Sequence, residues 1–188
     1  FGVAISLLTG SVVLAAAPVA HASSTVDEAA ARLGIAAYQV APITGTGDIT
    51  DELARAASVA GTAEQARLVQ LPSGSFAVSR SIRVADRVYL VAEADTQVRL
   101  SATADQLLWF PALVTGGVYG GDWDADGRGS ASVIATATAQ LSLAELTVRD
   151  AGKHGIAGYR GAKLSLDRVT ATTSRVDGVH LEASQLTA

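Results

Sequence analysis

The chain has 188 residues, of which 49% are hydrophobic and 17% charged, and a net charge of −4. That much apolar surface supports one folded domain and excludes a disordered chain, while the scattered 14 Lys and Arg offer no basic patch for a phosphate backbone, which excludes nucleic acid as a partner. Cysteine is absent, so disulfides, thiolate zinc sites and thiol nucleophiles are excluded too.

In chain order, residues 1–22 differ in kind from the rest. Ile5 to Ala17 is an apolar run followed by Ala20-His21-Ala22, the form of a signal peptide core and its A-x-A cleavage site. Cleavage after Ala22, a secreted product and no membrane contact after cleavage are expected. With no Met in the sequence, the natural start is expected upstream. A membrane anchor is the competing reading, because the run approaches the roughly 18 to 20 residues that a span needs; Gly10, Ser11 and Pro18 interrupt it.

Residues 23–61 read as a lead-in segment with two capping helices. Thr25-Val-Asp-Glu28 has the form of a capping box ahead of Ala29 to Leu33, and Gly34 is placed to end that helix. Tyr38 to Thr46 reads as loop. Asp48 can cap a second helix, in which Asp51 and Glu52 suit the positive end and Ile49, Leu53, Ala56, Ala57 and Ala60 share a face before Gly61.

From Arg67 onward the period changes to two. Short β-rich runs recur at Leu68 to Leu71, Arg87 to Val91, Val98 to Leu100 and Leu113 to Tyr119. An internal repeat follows: at one constant offset of 23 (164 − 141), Leu141 falls on Leu164, Ser142 on Ser165, Leu143 on Leu166, Leu146 on Val169, Thr147 on Thr170, Gly155 on Gly178 and Ile156 on Val179. Such a period belongs to leucine-rich repeats or to β-solenoid coils. Neither the Asn nor the helical return of a leucine-rich repeat is present, so the expected fold is all-β: a right-handed parallel β-helix of residues 62–188 with three short strands per coil, turns near Gly161 and Gly178, and an N-terminal helical cap.

The segments Gly47-Asp-Ile-Thr-Asp-Glu-Leu53, Leu68-Val-Gln-Leu-Pro-Ser-Gly-Ser-Phe76, Ser81-Ile-Arg-Val84 and Val88-Tyr-Leu-Val91 together resemble the pectin-lyase-like superfamily. Its members include pectate lyases, polygalacturonases, alginate-modifying enzymes and phage tailspikes. The resemblance implies that the second helix caps the open end of the solenoid. It also implies that catalytic residues stand on middle coils, beyond those present here. Val91-Ala-Glu93 departs from the family's glycine-flanked turn, which predicts a bulge in the second coil.

Three groups of residues are candidates for chemistry. Asp122, Asp124 and Asp126 alternate ahead of Gly127, as the first half of an EF-hand-like Ca2+ loop does; Val133 stands where its bidentate Glu belongs, and an Asp/Gly turn needs no metal. His154 and Asp177 share one repeat position (177 − 154 = 23), which makes them neighbours on adjacent coils. They suit either an acid-base pair or a stacked surface pair. Alternation with Ile156, Val179 and Leu181 inward turns Ala157, Tyr159, His180 and Glu182 outward and sets Tyr159 beside Glu182.

An aromatic ring beside polar groups on a flat sheet suits sugar binding, and a solvated sheet face is the alternative. Arg149, Lys153 and Arg160 could pair with uronate carboxylates; Trp109 and Trp123 read as packing residues. The functional expectation is a secreted protein that meets extracellular polysaccharide as lyase, hydrolase or epimerase on uronate-rich glycans. The alternative is a non-catalytic glycan-binding or adhesive solenoid.

Overall fold

The computed structural model describes residues 24–188, so the expected signal segment 1–22 lies outside the described residues. No helix among the described residues is long and apolar enough to cross a membrane. The chain winds as a parallel β-solenoid, visiting three sheets in turn. The first sheet stacks Tyr38–Pro42, Ala66–Leu71, Val88–Ala92, Thr115–Tyr119, Gln140–Ala144, Lys163–Asp167 and Gln185–Thr187. The second stacks Gly47–Asp48, Gly74–Val78, Thr96–Leu100, Asp122–Asp124, Thr147–Arg149 and Thr170–Thr172; the third stacks Ile82–Arg83, Ala104–Phe110, Gly129–Ala137, His154–Tyr159 and Asp177–Glu182.

The register bears out the 23-residue offset over the last full turns: Leu141 is opposite Leu164, Thr147 opposite Thr170 and Tyr159 opposite Glu182. Earlier turns vary in length, and Arg67 faces Val88 (88 − 67 = 21). Val88 faces Gly116 (116 − 88 = 28) and Thr115 faces Gln140 (140 − 115 = 25). Loops at the corners absorb the extra residues while the strands keep their stacking, so a fixed period is visible only where the corners are short. Inward side chains from all three sheets form one apolar cluster that runs along the axis from Ile49 and Leu53 to Leu164.

Corners turn on single residues with left-handed backbone. Thr138, Arg160 and Ala183 have φ of 56°, 53° and 48° at successive exits from the third sheet; Glu145 and Arg168, at 57° and 53°, do so after the first; Asp150 and Thr173, at 55° and 52°, after the second. Gly161 lies at a turn, and the bend at Arg175 and Val176 comes just before Gly178, the second residue of its strand. A side chain in this conformation is strained, and a β-branched one most of all. Thr138→Gly is therefore expected to raise stability by ~0.5–1 kcal/mol, the relieved strain exceeding the entropy that glycine adds to the unfolded chain. Urea unfolding reads the shift; an unchanged or lowered midpoint would show that the Thr138 corner carries no strain.

Helix α2 (Thr50–Ser58) follows strands of the first and second sheets and occupies, in the first turn, the place that strands of the third sheet take later. Its buried Leu53 and Ala57, with Ile49, belong to the interior cluster, so it covers the end of the core as expected. Asp48 holds its start, accepting the Thr50 N–H at 2.9 Å and the Thr50 hydroxyl at 2.5 Å, bonds that keep its carboxyl below the ordinary range. Glu52 accepts the N–H groups of Thr44 and Gly45, both at 2.8 Å, which fixes the preceding loop. The helix ends at Ser58 and Val59 is extended, so Ala60 is exposed rather than on the buried face. Gly61 serves a different need: an added Cβ would stand 2.8 Å from the backbone oxygens of Gln65 and Arg87.

Helix α1 (Ser24–Arg32) lies on the outside of the first sheet, with Val26, Ala29 and Ala30 packed on Leu68, Tyr89, Val91 and Tyr119. It begins before Thr25, whose hydroxyl bonds Glu93 across the sheet instead of capping the helix. Three further expectations are corrected. Tyr38 to Pro42 is not loop but the first strand, paired with Ala66 to Gln70. Leu113 is an exposed corner with φ of 65°, and the strand there starts at Thr115. The second coil does not bulge: Arg67 to Leu71 pair with Val88 to Ala92 without interruption, and the register shift falls between Gly129 and Ser132.

Candidate functional site

In the third sheet the period of two is broken once per coil. Leu107 and Leu108, then Val133 and Ile134, are consecutive residues that all face the interior cluster. Gly155 with Ile156 continues the pattern, since a Cβ on Gly155 would meet Val148 Cγ2 at 3.1 Å and Ala171 Cβ at 3.2 Å inside the solenoid. The residues on either side of each inward pair therefore face out together.

Three outward rows result. Gln106, Ser132, His154 and Asp177 align in the first. Trp109, Ala135, Ala157 and His180 align in the second, and Ala137, Tyr159 and Glu182 in the third. Small side chains in the middle leave a groove of about 480 Å³ between Trp109 at one end and Tyr159, Arg160 and Glu182 at the other. Trp109 and Tyr159 stand two coils apart, about 10 Å along the axis at the usual strand spacing.

The outward positions expected for Tyr159, His180 and Glu182 thus match the structure, with Tyr159 opposite Glu182. Arg160 is exposed at the rim on its left-handed corner, its N–H donating to the Glu182 carbonyl at 3.0 Å. Trp109, which reads as a packing residue in the sequence, is half-buried and forms a groove wall; Trp123 is fully buried as expected. The apolar pair Leu107-Leu108 ahead of Trp109 is the signal that could have placed it. Strict alternation hides it, and so do unequal offsets of 26, 22 and 23 along the row (135 − 109, 157 − 135, 180 − 157).

At one side of the groove His154, Asp177 and His180 converge. Asp177 Oδ2 lies 3.1 Å from His154 Nδ1 and 3.2 Å from His180 Nδ1. The two imidazoles stack with centroids 4.1 Å apart and planes 16° apart, and the Tyr159 ring leans on His180 at 5.9 Å. The His180 contact is a hydrogen bond. That of His154 is an electrostatic approach without hydrogen-bond alignment, which leaves its Nδ1 buried and without a hydrogen-bond partner. Burial is the main influence that lowers the His154 pKa, helped by the charges of His180 and Lys153 and opposed by Asp177. The folded state thus favours its neutral form.

The remaining candidates lie on the second sheet or its corner. Asp124, 2% exposed, is clamped by Arg99 at 3.3 Å and Arg149 at 3.2 Å. Asp122 meets Arg149 at 2.9 Å, and Asp126 meets Arg128 at 2.9 Å. Each of the three carboxylates is thus paired with a guanidinium group. Arg149, expected near the sugar row, is thereby committed to carboxylates on another face. A smaller groove of about 320 Å³ beside it, lined among others by Gln97, Arg99, Asp124 and Arg149, has its charges already paired.

Compared with known proteins, the chain matches no protein-family model, no curated protein and no solved structure.

Proposed function

We propose that this chain is a secreted β-solenoid of the pectin-lyase-like type that holds extracellular polysaccharide along the outer face of its third sheet. The observation that carries the reading is the trough of Ser132, Ala135 and Ala137 between the Trp109 and Tyr159 rings. Small residues give a chain of sugar rings room to approach the sheet, and the aromatic walls offer flat apolar faces with polar groups beside them. Arg160 supplies a cation for a uronate carboxylate, and Glu182 and His180 supply groups for hydroxyls or proton transfer. Lyase, hydrolase or epimerase action on uronate-rich glycans is the catalytic form of this reading.

A second reading, a non-catalytic glycan-binding or adhesive solenoid, has its own support. Hydrolysis needs two carboxylates flanking the scissile bond, and here Asp177 is shared by two histidines, leaving Glu182 at the rim. The test uses the full chain with pectin, alginate and neutral glycans. Affinity is measured by calorimetry; product is followed as unsaturated uronate and reducing ends. Trp109→Ala and Tyr159→Ala are each expected to weaken binding by about 1 kcal/mol, roughly fivefold, with an unchanged melting midpoint, while Lys163→Ala on the first sheet binds as the parent does. Parent-like affinity in both ring variants would reject the groove. Binding without product favours the adhesive form.

A further inference from the structure

The His154, Asp177 and His180 cluster has a feature that glycan binding does not require. One nitrogen from each histidine and one Asp177 oxygen lie within 4.8 Å of one another, and no other such trio occurs among the described residues. We propose that these three side chains bind a divalent transition metal of the Zn2+ class.

Distances come first. Ligand atoms on a tetrahedral Zn2+ with bonds near 2.1 Å stand about 3.4 Å apart. The Asp177 oxygen is 3.1 Å and 3.2 Å from the two Nδ1 atoms, within a few tenths of that spacing. Independently, His154 is only 8% exposed and its Nδ1 has no hydrogen-bond partner. Buried polar atoms nearly always find one. A metal would take the lone pair of this nitrogen and supply the missing interaction.

The donor set selects the ion. Two imidazoles and one carboxylate suit Zn2+ and its first-row neighbours, whereas Ca2+ asks for six or more oxygens. Three protein ligands leave a coordination position open, as in zinc sites that keep an exchangeable water. It would face solvent, because the Asp177 and His180 side chains are 45% and 34% exposed. Stacked rings place a metal between them out of both planes, so binding must turn one imidazole. His180, the more exposed of the two, is the ring to turn, and its terminal torsion is soft. Metal binding therefore breaks the stack.

The metal site stands whether or not the groove holds glycan, and its probe is the metal alone. The full chain, stripped with a chelator, is titrated with ZnCl2 and with CaCl2 by calorimetry, and with CoCl2 by visible absorption. One equivalent of Zn2+ is expected, with tetrahedral-type Co2+ bands and no response to Ca2+. His180→Ala and Asp177→Asn should each weaken Zn2+ binding on the order of 100-fold or more. Lys163→Ala, on the first sheet and away from the cluster, should leave binding as in the parent. Circular dichroism confirms that the variants fold; should Asp177→Asn fail, the partly exposed His180→Ala and the Co2+ spectrum decide. Absence of Zn2+ binding, Zn2+ binding that survives His180→Ala, or an equal response to Ca2+ would each overturn the site.

Discussion

Trp123→Ala is expected to destabilise the protein by about 3–5 kcal/mol, the range for deleting a large aromatic from a packed core. The ring is fully buried in the solenoid interior, and its Nε1–H donates to the Gly120 carbonyl at 2.9 Å. Removing it opens a cavity and strips that carbonyl of its donor at the corner where the chain passes from the first sheet to the second. Backbone that pairs on both sides, with Gln97 to Arg99 and with Thr147 to Arg149, gives the cavity little freedom to collapse. Urea unfolding followed by both circular dichroism and tryptophan fluorescence measures the loss, since a repeat protein can unfold in parts. A loss under about 1 kcal/mol would mean that this stretch repacks easily.

Gly117→Ala is the second large effect, and its origin is the opposite one, crowding. Gly117 pairs with Tyr89 on one side and Ser142 on the other. A Cβ there would stand 2.2 Å from the Ser142 carbonyl oxygen and 3.1 Å from Tyr89 Cδ1. The oxygen belongs to the backbone of the next strand and cannot swing away, so the coils must separate or shift register. A cost of ~3 kcal/mol or more is expected, at or above the top of the usual overpacking range. The comparison variant is Gly127→Ala, at which an added Cβ meets nothing within 4 Å and only the φ of 63° resists. That change should cost ~1–2 kcal/mol. Equal losses for the two would show that conformation, rather than contact between coils, sets the cost at Gly117.

Much of this protein is legible in its sequence alone. The repeat from Ala139 to Ser184 carries its own register, because the inward Leu, Ile and Val residues of each strand must stack on their counterparts in the next coil, and pairings such as Leu143 with Leu166 follow directly. The capping role of α2 is legible for a similar reason: an amphipathic helix with Leu53 and Ala57 on one face has to cover apolar surface, and the open end of a solenoid provides it. The neighbouring of His154 and Asp177, and the shared outward face of Tyr159, His180 and Glu182, follow from the same offset and alternation.

The tertiary structure decided what depends on comparing coils of unequal length. Trp109 belongs with Tyr159 only because Ala135 and Ala157 follow Trp109 in its row and Tyr159 stands two residues beyond Ala157, across offsets that no single period connects. His154 faces outward, although it is two residues from the inward Ile156, because Gly155 lets two successive residues turn to the core. The charges of Arg99 and Arg149 and the carboxylates of Asp122 and Asp124 come from three different turns, so their mutual neutralisation could not be read along the chain. Local pattern determined which residues stack. Only the closing of the coil determined which stacks share a face, because that depends on where each corner residue turns the backbone.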